Sequence, residues 1–148
     1  MQAYGEQQYR NLNVETADKT RLVIMLYEGA ISFLNMAIEN AGKGEIEDKC
    51  NHINNATDII SELNFALDME IGGDVATNLR SLYQFMTRHL VQGKLEKDGR
   101  EKLQAVVDML TSLLEAWRAV QKDPEVMRMS CEQQMSSPSL AGSRGIRV

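Results

Sequence analysis

The chain reads as an all-α protein. It is expected to be an antiparallel up-down four-helix bundle over residues 18–121, with an N-terminal arm over 1–17 and a disordered C-terminal tail over 122–148. Three observations predict this. Apolar residues recur at helical spacing in four stretches. The stretches are separated by short breaks at Gly42 to Gly44, at Gly72-Gly73 and at Gly93 to Asp98, and helices joined by so few residues lie antiparallel. No alternating run of β-branched residues bounded by turn residues marks a strand. Nine Met and two Pro in 148 residues suit long helices with an adaptable core, and the length suits one domain.

The first 17 residues are polar, with Tyr4, Tyr9, Leu12 and Val14 as apolar points. They read either as a disordered leader or as an arm whose tyrosines dock on the bundle. Asp18 is a fitting N-cap for a first helix from Lys19 to about Ala41. On a wheel advancing roughly 100° per residue, Arg21, Glu28, Ser32, Asn35 and Glu39 occupy a polar arc only about 60° wide. An ordinary bundle helix needs an apolar stripe of about 100–160°. This one has more, so the arm, a partner or a central position must cover Ile24, Tyr27, Ile31 and Ile38.

Gly42 and Gly44 end the first helix. Glu45 opens the second, with Glu47 and Asp48 in a first turn that suits the helix dipole. Ile46, Cys50, Ile53, Thr57, Ile60, Asn64 and Leu67 share its inner face, and Asn54, Asn55 and Asn64 place amides beside it. Phe65 and Met69 fall on its back. Gly72-Gly73 is a poor helix interior and a good place to reverse direction, with Asp74 as the expected cap of a third helix, Val75 to about Val91. Its stripe is Val75, Ala76, Leu79, Leu82, Tyr83, Met86 and Leu90; Phe85 projects outside it, near Asn78 and His89. Gly93-Lys94 closes that helix. Asp98 caps the fourth, Gly99 to about Gln121, whose stripe ends on Trp117 and Val120. The Trp117 indole N–H needs an acceptor if buried. Pro124 stops the helix, and the Ser-, Gly- and Gln-rich remainder has no periodicity, which predicts disorder.

Several function classes find no support. The net charge of −5 is spread in both signs with no basic block, which argues against nucleic acid or an anionic membrane as partner. Cys50 and Cys131 form no metal or redox spacing. No Glu-x-x-His pair suggests a carboxylate-bridged metal site, no phosphate-binding loop is present, and no base stands beside a nucleophile. An enzyme is therefore not expected, nor a cofactor. The N-terminus does not read as a secretion signal, and no apolar run approaches the ~20 residues that span a bilayer. The expected location is the cytoplasm.

Four segments carry a family resemblance in order: Leu26-Tyr27-Glu28-Gly29-Ala30; Leu63-Asn64-x-x-Leu67-Asp68; Gly72-Gly73-Asp74-Val75-Ala76-x-Asn78-Leu79-x-x-Leu82-Tyr83-x-Phe85-Met86; and Trp117 near the end of the last helix. Together they resemble the flagellin export chaperones of the bacterial flagellar secretion system, over about residues 4 to 120. One departure is Thr16-Ala17-Asp18-Lys19-Thr20, where the family often has Thr-Ala-Ser-Pro-Glu; the Pro at the first helical position is missing. The resemblance implies binding rather than catalysis. The implied partner is the disordered C-terminal segment of flagellin, held to prevent premature polymerisation and delivered to the flagellar export gate protein. It also admits a flagellar regulatory protein that competes for the same groove. Tyr9, with Asn11 and Val14, is similar to a segment that lies as a lid over the binding surface. The expected partner-binding residues are Tyr9, Ile53, Ile60, Leu63, Asn64, Leu67, Leu79, Leu82, Tyr83 and Met86, which gather around the Gly-Gly break.

Two competing readings stay open. An orphan regulatory bundle would self-associate through its first helix. A phosphotransfer bundle would use His89, since His89 to Gly93 is loosely similar to a His-x-x-x-Gly segment; Gln92 stands where that pattern wants Lys.

Overall fold

The computed structural model describes residues 2–122, with side chains from residue 18 onward. The described residues form α1 (Gln2–Lys43), α2 (Ile46–Phe65), α3 (Met69–Leu95) and α4 (Arg100–Lys122). Helix α1 packs on α2 and α4, and α3 packs on the same two. Contacts between neighbours fix their directions: Arg118 of α4 pairs with Glu28 of α1 at 2.9 Å, and Arg80 and Lys94 of α3 donate to Asn64 and Asn54 of α2 at 3.3 and 3.0 Å. Consecutive helices are antiparallel, as expected. The core is continuous through Tyr27, Leu34, Ile53, Ile60, Tyr83, Met86, Leu90, Leu103 and Leu110, each large aliphatic side chain contributing roughly 1.5–3 kcal/mol.

Helix α1 differs from expectation at its start. It begins at Gln2 rather than after Asp18. Lys19 supplies an N–H and has no ring to clash with the preceding turn, so nothing ends the helix there, and Asp inside a helix costs only a few tenths of a kcal/mol. The Asp18–Lys43 part is also long and apolar enough, by length and composition, to cross a bilayer. That corrects the expectation that no stretch comes near. In the fold this same stretch supplies Tyr27, Ala30, Leu34 and Ala37 to the core with no exposed surface. Ile24 and Tyr27 are covered by the bundle itself; among the described side chains of α1 the exposed large apolar residues are Leu22, Met25 and Met36. The tail over 123–148 lies outside the described residues.

The connection between α2 and α3 is built differently from its sequence reading. Helix α2 stops at Phe65 and the chain reverses at Ala66 and Leu67. Asp68 caps the turn that opens α3 ahead of the Gly-Gly pair: its Oδ1 accepts from the Glu70 and Ile71 N–H groups at 3.1 and 3.0 Å. One turn later Gly73 interrupts α3 at φ 54°, ψ −127°, a conformation open to Gly and costly to other residues. The Gly-Gly pair thus breaks the chain, but inside the third helix.

The opposite end of the bundle is drawn tight. Gly99, at φ +72°, sits so close to α3 that a Cβ there would lie 2.2 Å from the Gly93 carbonyl oxygen. Helix α3 therefore runs on past Gly93 to Leu95 before the chain turns. Asp98 caps α4 through Arg100 N at 3.3 Å and pairs with the Arg100 guanidinium at 2.7 Å, which holds its carboxyl below the usual range. Lys49 is fully buried, and its Nζ donates to the Glu96 carbonyl at 2.7 Å. A buried ammonium needs such a partner, and this one ties α2 to the end of α3.

Candidate functional site

At the end of the bundle away from Gly99, the four helices leave an apolar cleft of about 490 Å³. Its walls are Leu22, Val23 and Leu26 from α1, Leu63 and Leu67 at the end of α2, Ile71, Val75 and Leu79 from the start of α3, and Trp117 of α4, with Tyr83 behind. The cap at Asp68 and the kink at Gly73 swing the first turn of α3 aside here. That leaves Ile71 at the lip, 86% exposed, facing Leu22 at 56%. Isolated exposed apolar residues are ordinary; a contiguous apolar hollow rimmed by them marks a binding surface.

Tyr83 lines the cleft and is paired with the buried Tyr27. The hydroxyls of Tyr27 and Tyr83 are 2.5 Å apart, and the Trp117 ring tilts against Tyr27 with centroids 6.5 Å apart. Burial pushes both phenols up. For Tyr27, hydrogen bonds with Tyr83 and Trp117 oppose the shift; for Tyr83, the charge and hydrogen bond of Tyr27 add to it. These groups stay neutral and paired; Tyr83 lines the cleft, and Tyr27 is fully buried behind it.

The expected partner-binding residues divide into groups. Leu63, Leu67, Leu79 and Tyr83 line the cleft. Ile60 and Asn64, with Tyr83, edge a smaller hollow of about 370 Å³ between α2 and α3, beside Gln84 and Arg88. Ile53 and Met86 are sealed in the core. Leu82 is half-buried and lines neither hollow. Tyr9 lies in the part of α1 whose backbone alone is described. Missed by the sequence reading were Leu22, Leu26, Ile71, Val75 and Trp117. The signal for α1 was its surplus of apolar surface; Ile71 was hidden because its segment reads as a break.

Other features are less suited to a ligand. A hollow of about 450 Å³ between α1 and α4 is lined by Glu28, Ile31, Ser32, Asn35, Met36, Glu39, Leu114 and Arg118, and all three of its charged side chains are already paired. His89 stands more than a turn before the end of α3 rather than in its last turn, half-buried with its ring 4.3 Å from that of Phe85. A phosphoryl acceptor needs an open imidazole, so this packing disfavours the phosphotransfer reading. Among the described residues no His, Cys, Asp and Glu side chains group as a metal site. One polar atom stands out: among the described residues the Asn78 side-chain nitrogen is buried with no hydrogen-bond partner.

A helical bundle with an apolar cleft at one end and no grouped catalytic or metal-binding side chains among the described residues has the build of a binding module. The family described as flagellar protein FliS matches residues 1–124, and the chain belongs to that family. It is 34% identical over 123 residues to the flagellar secretion chaperone FliS of Salmonella typhimurium, covering 80% of this chain and 90% of that one. The protein of the same name from Bacillus subtilis is 31% identical over 116 residues, 78% of this chain and 85% of that one. The Vibrio cholerae protein is 33% identical over 115 residues, covering 75% and 84%.

Proposed function

We propose that this protein is a cytoplasmic chaperone of flagellar export that holds the disordered C-terminal segment of flagellin in the cleft at the open end of its bundle. The observation that carries the reading is the cleft itself, lined by apolar side chains from all four helices together with Lys19 and Asp68, and bordered by the exposed Ile71 and Leu22. A disordered segment loses entropy on binding, so its site must offer substantial apolar contact. A helical piece laid into the cleft by its apolar face would supply that contact. Val75 and Leu79 continue along α3 to Leu82 and Phe85 at helical spacing, so a segment longer than the cleft would run on over them.

Holding this segment would keep flagellin from polymerising before export and present it to the export gate protein. A flagellar regulatory protein with a similar amphipathic segment would compete for the same cleft. The test is calorimetric titration of the full chain with flagellin and with flagellin lacking its C-terminal segment. Binding is expected only with the segment present; equal binding to both, or to neither, overturns the proposal.

A further inference from the structure

Past its kink, helix α3 carries charge of one sign. From Val75 to Leu95 it holds Arg80, Arg88, His89 and Lys94 and no Asp or Glu, in a chain of net charge −5. His89 packs on Phe85. The other three cations lie on the side of α3 that faces α2. Arg80 donates to the Asn64 side-chain oxygen at 3.3 Å, and Lys94 donates to that of Asn54 at 3.0 Å. Between them Arg88 edges the hollow of about 370 Å³, with Ser61 and Gln84.

These cations are not neutralised. The acceptors on Asn54 and Asn64 are amide oxygens, which hold an ammonium or a guanidinium in place without cancelling its charge. Among the described residues, carboxylates pair with Lys43, Arg100, Lys102 and Arg118. None pairs with Arg80, Arg88 or Lys94, although Asp58 and Glu62 are exposed on the neighbouring helix. The spacing of eight and six residues along α3 sets the three charges about 12 and 9 Å apart, close to one Debye length at physiological salt. Their fields overlap along the groove and favour an anionic partner there. Val91 and Leu95 follow three and seven residues beyond Arg88, on the same side by helical spacing, and both are exposed. The row is thus cationic with apolar points, whereas the cleft at the open end is apolar.

We infer that the groove between α2 and α3 is a second docking surface, for an acidic amphipathic helix of a partner protein. Its carboxylates meet Arg80, Arg88 and Lys94, and its apolar side chains cover Val91 and Leu95. Charge complementarity selects this occupant. A nucleic acid would leave Val91 and Leu95 uncovered and would meet the excess negative charge of the rest of the chain. A purely apolar segment would leave three cations desolvated and unpaired. The inference does not rest on the cleft being the flagellin site, because no cation of the row lines that cleft.

The experiment titrates the full chain, labelled with nitrogen-15, with a capped helical peptide of about five turns. The peptide carries Glu at the spacing of the row and Leu on the same face. A second peptide has Gln in place of each Glu, and a third probe is an oligothymidylate of similar length. The Glu peptide is expected to shift the Arg80 and Arg88 Nε–H signals and the backbone amides of Val91 and Leu95, while the amides of Leu22 and Ile71 stay in place. The Gln peptide should bind about tenfold more weakly. Arg88→Glu should weaken the Glu peptide by a similar factor, and Arg88→Lys should keep most of the affinity. Arg88 is exposed, so neither substitution threatens the fold. Equal binding of the two peptides, binding of neither, shifts centred on the cleft, or tighter binding of the oligothymidylate in the groove each overturns the inference.

Discussion

Ile71→Asp is the sharpest probe of the cleft. In the free protein Ile71 is 86% exposed, so its side chain contributes little to the fold, yet any segment filling the cleft covers it. Fully burying an Ile side chain is worth about 1.5–3 kcal/mol. Nearly all of that surface remains to be covered by the ligand, so its loss should weaken binding by roughly 1.5–2.5 kcal/mol, or about 10- to 70-fold in Kd. The introduced carboxylate must also be desolvated against apolar walls, which acts in the same direction. Folding is spared, because an acid in the first turn of a helix suits its dipole. The assay is calorimetry with a flagellin C-terminal peptide, with helicity followed by circular dichroism. Leu95→Asp is the control: Leu95 is similarly exposed, at 79%, but sits at the closed end, and its affinity should stay near wild type. An Ile71→Asp protein of normal helicity that binds within about twofold of wild type would remove the cleft as the site.

Further expectations follow from the same geometry. Leu82→Asp, one step beyond the cleft on α3, should weaken flagellin binding by a smaller factor of about three to ten, read by the same titration; a loss as large as that of Ile71→Asp would move the centre of the site onto α3. Deleting residues 1–12 should change the affinity if that part of α1, with Tyr9, shields the cleft, and unchanged calorimetry would leave it a plain extension. Gly99→Ala puts a Cβ 2.2 Å from the Gly93 carbonyl at φ +72°; it should cost about 2–4 kcal/mol in a denaturant melt. The Tyr27 and Tyr83 pKa values are raised above the ordinary 10.0, so the folded state holds protons that the unfolded chain releases. The tyrosines' contribution to stability should be constant below pH 10 and fall as the pH rises beyond it, and Tyr83→Phe should flatten part of that alkaline fall in a pH series of thermal melts.

Much of the bundle was legible because its signals are local and periodic. The stripes through Ile53, Ile60 and Leu63, and through Leu103 and Leu110, need only helical spacing to be read, and they are the core. Boundaries were harder. Asp68 and Asp74 are both sound caps, and only the backbone decides that Asp68 accepts the two N–H groups while Gly73 kinks the helix behind it. Lys49 could not have been found: a lone Lys among Glu47, Asp48 and Asn51 reads as solvated surface, and its burial depends on a carbonyl that α3 brings from 47 residues away. The site was read in part for a related reason. Periodicity identifies apolar residues but not which of them the other helices cover, so Ile53 and Met86 look like Leu67 and Leu79 until the fold seals the first pair and leaves the second at a cleft.

The two ends of the bundle explain how an open cleft is tolerated. At the closed end, Gly99 touches Gly93 through backbone, Lys49 holds the Glu96 carbonyl, and His52 pairs with Asn40 at 2.7 Å. Each contact fixes two chain segments, and the helices cannot slide there without leaving a buried polar group unpaired, at about 1–3 kcal/mol each. At the open end the helices meet across a hollow, and Phe65, 92% exposed, and Ile71 project from either side of the α2–α3 reversal. The Gly73 break sets the first turn of α3 off from the rest of the helix at this end. Such an arrangement suits the proposed function: the closed end keeps the fold, and the apolar surface of Leu22, Ile71 and Leu79 is left at the cleft for a ligand to cover. Filling the hollow from within, for example by Val75→Phe, should therefore raise the melting temperature and lower flagellin affinity together; a variant that gained stability and kept its affinity would show that the space is not where the segment binds.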